Sequence, residues 1–173
     1  MSAALASLGR HRNVILVDVV LVVALYLVPS ITHLTALPVY KLEPMRIALV
    51  IALLYTNRAN SYLVAFTIPL ASALISGHPE PFKALLMGIE CSVLVAAYGY
   101  LRHKVNWSQF LALTVAILAG KILYYSLKFL SLDAGLLAGN FISTPVLNQV
   151  ILAAGTAAVF AMVENRRTAR LPG

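Results

Sequence analysis

Phe82–Leu101 reads FKALLMGIECSVLVAAYGYL, twenty residues with two charges, Lys83 near its start and Glu90 near its middle. As an α-helix rising 1.5 Å per residue, it extends about 30 Å, the thickness of a bilayer's hydrocarbon core. Similar apolar runs lie on both sides. The spans predicted along the chain are about 14–31, 43–56, 61–76, 82–101, 109–130 and 144–164. The expected fold class is all-α: one polytopic membrane domain over 1–173, a bundle of six transmembrane helices.

Composition points the same way. Of 173 residues, 61% are hydrophobic and 11% charged, and the mean hydropathy is +0.88. Soluble domains carry about 25% charged residues. So few charges cannot cover a water-facing surface, which excludes a soluble globule, a polar-capped solenoid and a disordered chain. The net charge of +7, from 13 Lys+Arg against 6 Asp+Glu, forms no aromatic-interleaved stripe of the kind that binds nucleic acid, so no nucleic-acid partner is expected. Basic residues instead flank the spans. Six spans put both termini on one side with Arg10, Arg12, Arg58, Arg102, Lys104, Arg166, Arg167 and Arg170. The other side receives Lys41, Arg46, Lys83 and Lys128, while Lys121 falls inside a span. Eight against four places both termini in the cytoplasm by the positive-inside rule.

Local punctuation fixes the segment ends. The first span follows Arg10-His11-Arg12, is long, contains Asp18 and has no clear small-residue cleavage site, so it reads as a retained helix rather than a signal peptide. Pro44 opens the second span as a first-turn proline, and Pro69 lies within the third. These two spans are shorter than the usual 17–25 residues. They are either extended by their flanks or form a re-entrant hairpin. Cys91 is the single cysteine and sits in an apolar run, which reads as packing.

Ionisable residues inside spans are the strongest functional signal here, because each is costly unless paired or hydrated. Asp18 lies about a turn from the cytoplasmic end of the first span, within reach of headgroups, Arg10 or Arg12. Glu90 and Lys121 lie on successive antiparallel helices, each about 12–14 Å below the outer surface. An ion pair between them is geometrically easy. It serves equally well as a structural tie or as part of a substrate site. Lys83 shares a helical stripe with Glu90; Lys121, Tyr124 or Tyr125, and Lys128 form a second stripe. Asn148 and Gln149 open the sixth span. The candidate substrate-binding set is therefore His78, Lys83, Glu90, Lys121, Tyr125 and Asn148: a few polar groups in an apolar wall, as small-molecule pockets are built. Lys128 reads as snorkelling to the interface.

Ser76-Gly-His-Pro-Glu-Pro-Phe-Lys83 is the most distinctive turn, where two prolines stiffen the chain and start the fourth span. Its lone His78-x-Glu80 is not a metal site, since zinc needs three or four convergent ligands. No H-E-x-x-H, G-x-S-x-G, P-loop or dinucleotide fingerprint occurs, and the acidic residues are scattered singly. No enzyme, cofactor or metal is expected.

With its size, six spans, basic cytoplasmic ends, the segment Leu42-Glu-Pro-Met-Arg46 and the stretch PLASALISGHPEPFKALLMGIE over 69–90, the chain resembles the substrate-binding S components of energy-coupling factor (ECF) transporters. The resemblance implies a multi-pass subunit of the plasma (inner) membrane that binds a small vitamin-like nutrient from outside and docks on a membrane T subunit and cytoplasmic ATPases. The implied pocket is bounded by the 31–43 loop, the 78–83 turn and the outer halves of spans four to six, with loops one and three closing over a small polar or anionic solute. Many members dock through Ala-x-x-x-Ala on the first helix, whereas VILVDVVLVVALYLV at 14–28 lacks it. Gly88 and Gly120 offer other close-packing faces. A ligand-free membrane scaffold of a cell-envelope complex, similar to MreD-type rod-shape proteins, is the alternative, and a lipid-modifying enzyme is a third class.

Overall fold

The computed structural model describes residues 14–24, 26–27, 42–77, 79–142 and 145–170. These residues form six helices and no strand. They are α1 (Val14–Ala24), α2 (Pro44–Tyr55), α3 (Arg58–Ser76), α4 (Pro81–His103), α5 (Gln109–Asp133) and α6 (Val146–Arg170).

The helix ends follow local chemistry. Pro44 and Pro81 occupy first-turn positions of α2 and α4, where a missing N–H leaves no bond unmade. Asn57 caps α3, its side chain accepting from the Asn60 N–H at 2.8 Å. Ser108 does the same for α5. Gly77, at φ 67°, ends α3 in the left-handed conformation that suits a residue without Cβ. Asn57 and the three residues after it lengthen the third helix beyond the expected 61–76. At 19 residues α3 reaches about 28 Å, whereas α2 has only 12 residues, about 18 Å.

Antiparallel neighbours α3, α4, α5 and α6 pack in chain order, and α2 lies against α3, α4 and α6. One end of the bundle carries Arg58, Arg102, Lys104, Arg166 and Arg167 and is called the basic end below; Gly77, Pro79, Glu80 and residues 134–142 lie at the opposite end. The core near the basic end joins Leu49, Ala52, Leu94, Val95, Leu113, Ile117 and Phe160. A smaller cluster of Leu86, Tyr124 and Leu137 fills the opposite end. Asp18 ties α1 to α3 by accepting from Asn60 Nδ2 at 2.9 Å, so within the described residues its partner is an amide.

Small residues set the helix spacing. A Cβ on Gly120 would lie 3.0 Å from the Glu90 carbonyl oxygen, and one on Gly88 would lie 3.3 Å from the Phe66 ring. Both glycines are thus spent on packing inside this bundle, α5 on α4 and α4 on α3. Outside, large apolar side chains face the surroundings, among them Leu74, Ile122 and Leu147. α4, α5 and α6 are each long and apolar enough to cross a bilayer. A surface of that kind is stable in hydrocarbon and unstable in water. The chain is a helical membrane protein.

Candidate functional site

The polar centre of the bundle forms where α2 begins. Glu43, immediately before Pro44, meets Lys121 from the middle of α5, with Oε1 2.6 Å from Nζ. α2 therefore starts at mid-depth and runs from there to the basic end. Its short length is the reason: a 12-residue helix cannot reach both ends of a bundle built from helices of 23 and 25 residues. Arg46, one turn into α2, pairs with Glu43, and its Nη2 lies 2.6 Å from Glu90 Oε1 on α4. Lys121 Nζ is 3.6 Å from the same Glu90 oxygen. Two carboxylates and two cations thus close a quartet linking α2, α4 and α5, with Arg46 and Glu90 buried and Glu43 and Lys121 partly buried.

The quartet is self-consistent electrostatically. Each ion faces two of opposite sign or, for Lys121, two carboxylates and the Tyr124 ring 5.8 Å away. Removing one partner of such a buried group typically costs about 3–5 kcal/mol, because a charge is left uncompensated. Glu43 also holds a left-handed backbone (φ 53°, ψ 57°) and gives no side-chain cap to α2. Its carboxylate goes to Arg46 and Lys121 instead of the free N–H groups of the first turn. That backbone conformation costs roughly 1–2 kcal/mol in a residue with a Cβ.

On the other face of α5 lies a groove of about 770 Å³ against α6 and Phe141. Its walls are apolar, with Ile122, Phe129, Val146 and Val150 among them. Lys121, Tyr125, Ser126 and Gln149 are the polar residues of its lining. Gln149 Nε2 donates to the Tyr125 hydroxyl at 2.6 Å, and Phe141 packs edge-on against the Tyr125 ring. Lys121 belongs to both features: its ammonium completes the quartet and its side chain lines the groove.

Among the sequence candidates, the structure brings Glu90 and Lys121 together and sets Tyr125 one turn from Lys121 toward α6. Lys83 lies half-buried seven residues before Glu90 and makes no ion pair among the described residues. Asn148 is exposed; its neighbour Gln149 is the amide that turns inward. His78 lies outside the described residues. Lys128 does not snorkel: it is buried, and its ammonium donates to the carbonyls of Asn140 and Phe141 at 2.8 and 2.9 Å. This pins Asn140 and Phe141, the latter a lining residue of the groove. Arg46, counted with the outer-side charges at the start of the second span, is buried in the quartet, because α2 starts within the bundle rather than at its surface.

Sequence reasoning passed over Glu43 and Arg46 as site residues. The available signal was the length of their span. A helix too short to cross must begin inside the bundle, and its first-turn charges are then intramembrane. Among the described residues no three His, Cys, Asp or Glu side chains converge as a metal site would require. No protein-family model, no curated protein and no solved structure matches this chain.

Proposed function

We propose that this protein is a membrane solute-binding subunit that takes up a small, vitamin-like micronutrient, driven by partner ATPases. The observation that carries the reading is the apolar groove of about 770 Å³ whose polar lining residues, Lys121, Tyr125 and Gln149, sit beside a charged quartet midway through the bundle. A cavity of that volume accommodates a small organic molecule, and a few polar groups in an apolar wall provide orientation and selectivity. Helix α2 begins at mid-depth, as the interrupted helices of transporters do near the bilayer midplane. The resemblance to ECF S components supplies the partners, a membrane T subunit and cytoplasmic ATPases. The excess of basic residues at one end supports, by the positive-inside rule, an orientation in which that end faces the cytoplasm of the plasma membrane and the groove lies toward the outer half.

The scaffold reading draws on a different observation, namely that interior polar groups satisfy one another, Asp18 with Asn60 and Gln149 with Tyr125. Native mass spectrometry of the protein, gently extracted from its host's membranes, separates the two. A small-molecule adduct, weakened by Lys121→Ala in a variant that still inserts, supports uptake. A protein bare of ligand, accompanied only by envelope-synthesis partners, supports the scaffold and overturns the uptake reading.

A further inference from the structure

The charge balance around Lys121 selects the chemistry of the ligand, an inference that rests on the solute-binding reading above. Among the described residues Lys121 is the one charged residue lining the groove, and its charge is already matched. Its ammonium lies 2.6 Å from Glu43 Oε1 and 3.6 Å from Glu90 Oε1, while Arg46 faces both carboxylates. Two positive and two negative charges sum to zero. An anion seated on Lys121 would leave one uncompensated negative charge in a region shielded from water, and a cation would leave a positive one. Either is heavily penalised in a low-dielectric site.

Hydrogen-bond bookkeeping narrows the choice further. Lys121 has three N–H donors and two carboxylate directions, which leaves one donor to spare. The Tyr125 hydroxyl accepts from Gln149 and retains its own hydrogen. Ser126 is committed, donating to the Ile122 carbonyl at 2.9 Å. Lys121 and Tyr125 stand at i and i+4 on α5 and so are neighbours on one face. Two donors one turn apart, in an apolar wall with no charge left over, match a single uncharged acceptor.

We infer that the groove between α5 and α6 takes an uncharged molecule with an apolar body and one carbonyl-type oxygen, an amide, ester or ketone, held between Lys121 and Tyr125. The site rejects the carboxylate of the same shape. Glu43 is the residue that enforces this choice, because it supplies the negative charge that an acid would otherwise bring.

The test uses the full-length protein in nanodiscs and two diazirine-tagged probes with the same ten-carbon chain, one a primary amide and the other a carboxylic acid, at pH 7.5. Photolabelling is read by intact mass and peptide mapping. The expected result is saturable amide labelling within 118–150, competed by unlabelled decanamide, with the acid at least tenfold weaker. Tyr125→Phe should weaken amide labelling about fivefold to tenfold without unfolding the protein. Glu43→Gln removes one negative charge and should reverse the preference in favour of the acid. Acid labelling equal to or stronger than amide labelling in the unmodified protein overturns this inference while leaving a solute site in place. Labelling that decanamide cannot compete means that bilayer lipid fills the groove, and it overturns the inference. No labelling by either probe overturns it together with the uptake reading.

Discussion

The two seams flanking α5 are built on opposite plans. Toward α4, Gly120 brings the backbones together beside Glu90, Ala112, Leu113, Ala116 and Ile117 are fully buried, and the ion quartet closes the polar centre. Toward α6, the helices stand far enough apart for a groove of about 770 Å³, bridged by the Gln149–Tyr125 bond. One seam fixes geometry and the other leaves room. A helix that must hold a bundle together and also present a binding surface can do both only by dividing its faces, and Lys121 marks the line of division.

The largest effect should come from breaking the closed seam's charge balance. Arg46→Met leaves Glu43 and Glu90 sharing one ammonium and should destabilise the protein by about 3–5 kcal/mol, read as a fall in melting temperature in detergent. Adding Glu90→Gln restores neutrality, so the double variant should melt above the single one. A double variant that melts lower still would mean the quartet is not one electrostatic unit.

Next in size is a steric contrast between two glycines. Gly120→Ala directs a methyl at the Glu90 backbone oxygen, 3.0 Å away, and should cost about 1–3 kcal/mol by overpacking. Gly99→Ala meets only the Arg58 guanidinium, at 2.9 Å. That side chain is flexible and can swing aside, while alanine gains roughly 1 kcal/mol of helix propensity over glycine. The two variants should therefore differ in melting temperature, with Gly99→Ala near the unmodified protein. The smallest effect belongs to the open seam. Tyr125→Phe deletes one bridging hydrogen bond and should change stability by about 0.5–1.5 kcal/mol. A drop as large as that of Arg46→Met would show that the α5–α6 seam also carries the fold.

Much of this was legible from the chain. Uninterrupted apolar runs bounded by Pro44, Gly77, Pro81 and Pro145 mark helix ends because proline and glycine act through local backbone geometry. The matched depths of Glu90 and Lys121 follow from helical rise alone. What stayed hidden depends on how deep a helix sits rather than where it lies in sequence. Glu43 and Arg46 look like loop charges until α2 is placed halfway into the bundle. The choice between Asn148 and Gln149, adjacent at the start of α6, turns on a rotation of about 100°, finer than hydropathy can resolve. Lys128 reads as a surface lysine because its partners are backbone carbonyls, Asn140 and Phe141, which carry no sequence signature.

The division of labour on α5 is tested most directly by filling the groove without touching the quartet. Val150 lines the groove from α6 and is exposed, so Val150→Trp occupies that space while leaving Glu43, Arg46, Glu90 and Lys121 intact. Native mass spectrometry of the unmodified protein and of Val150→Trp, extracted side by side from the host membrane, is the measurement. A small-molecule adduct on the former, lost from a Val150→Trp protein of unchanged melting temperature, is the expected result. An adduct retained on Val150→Trp, or absent from both, would contradict the groove as the binding face.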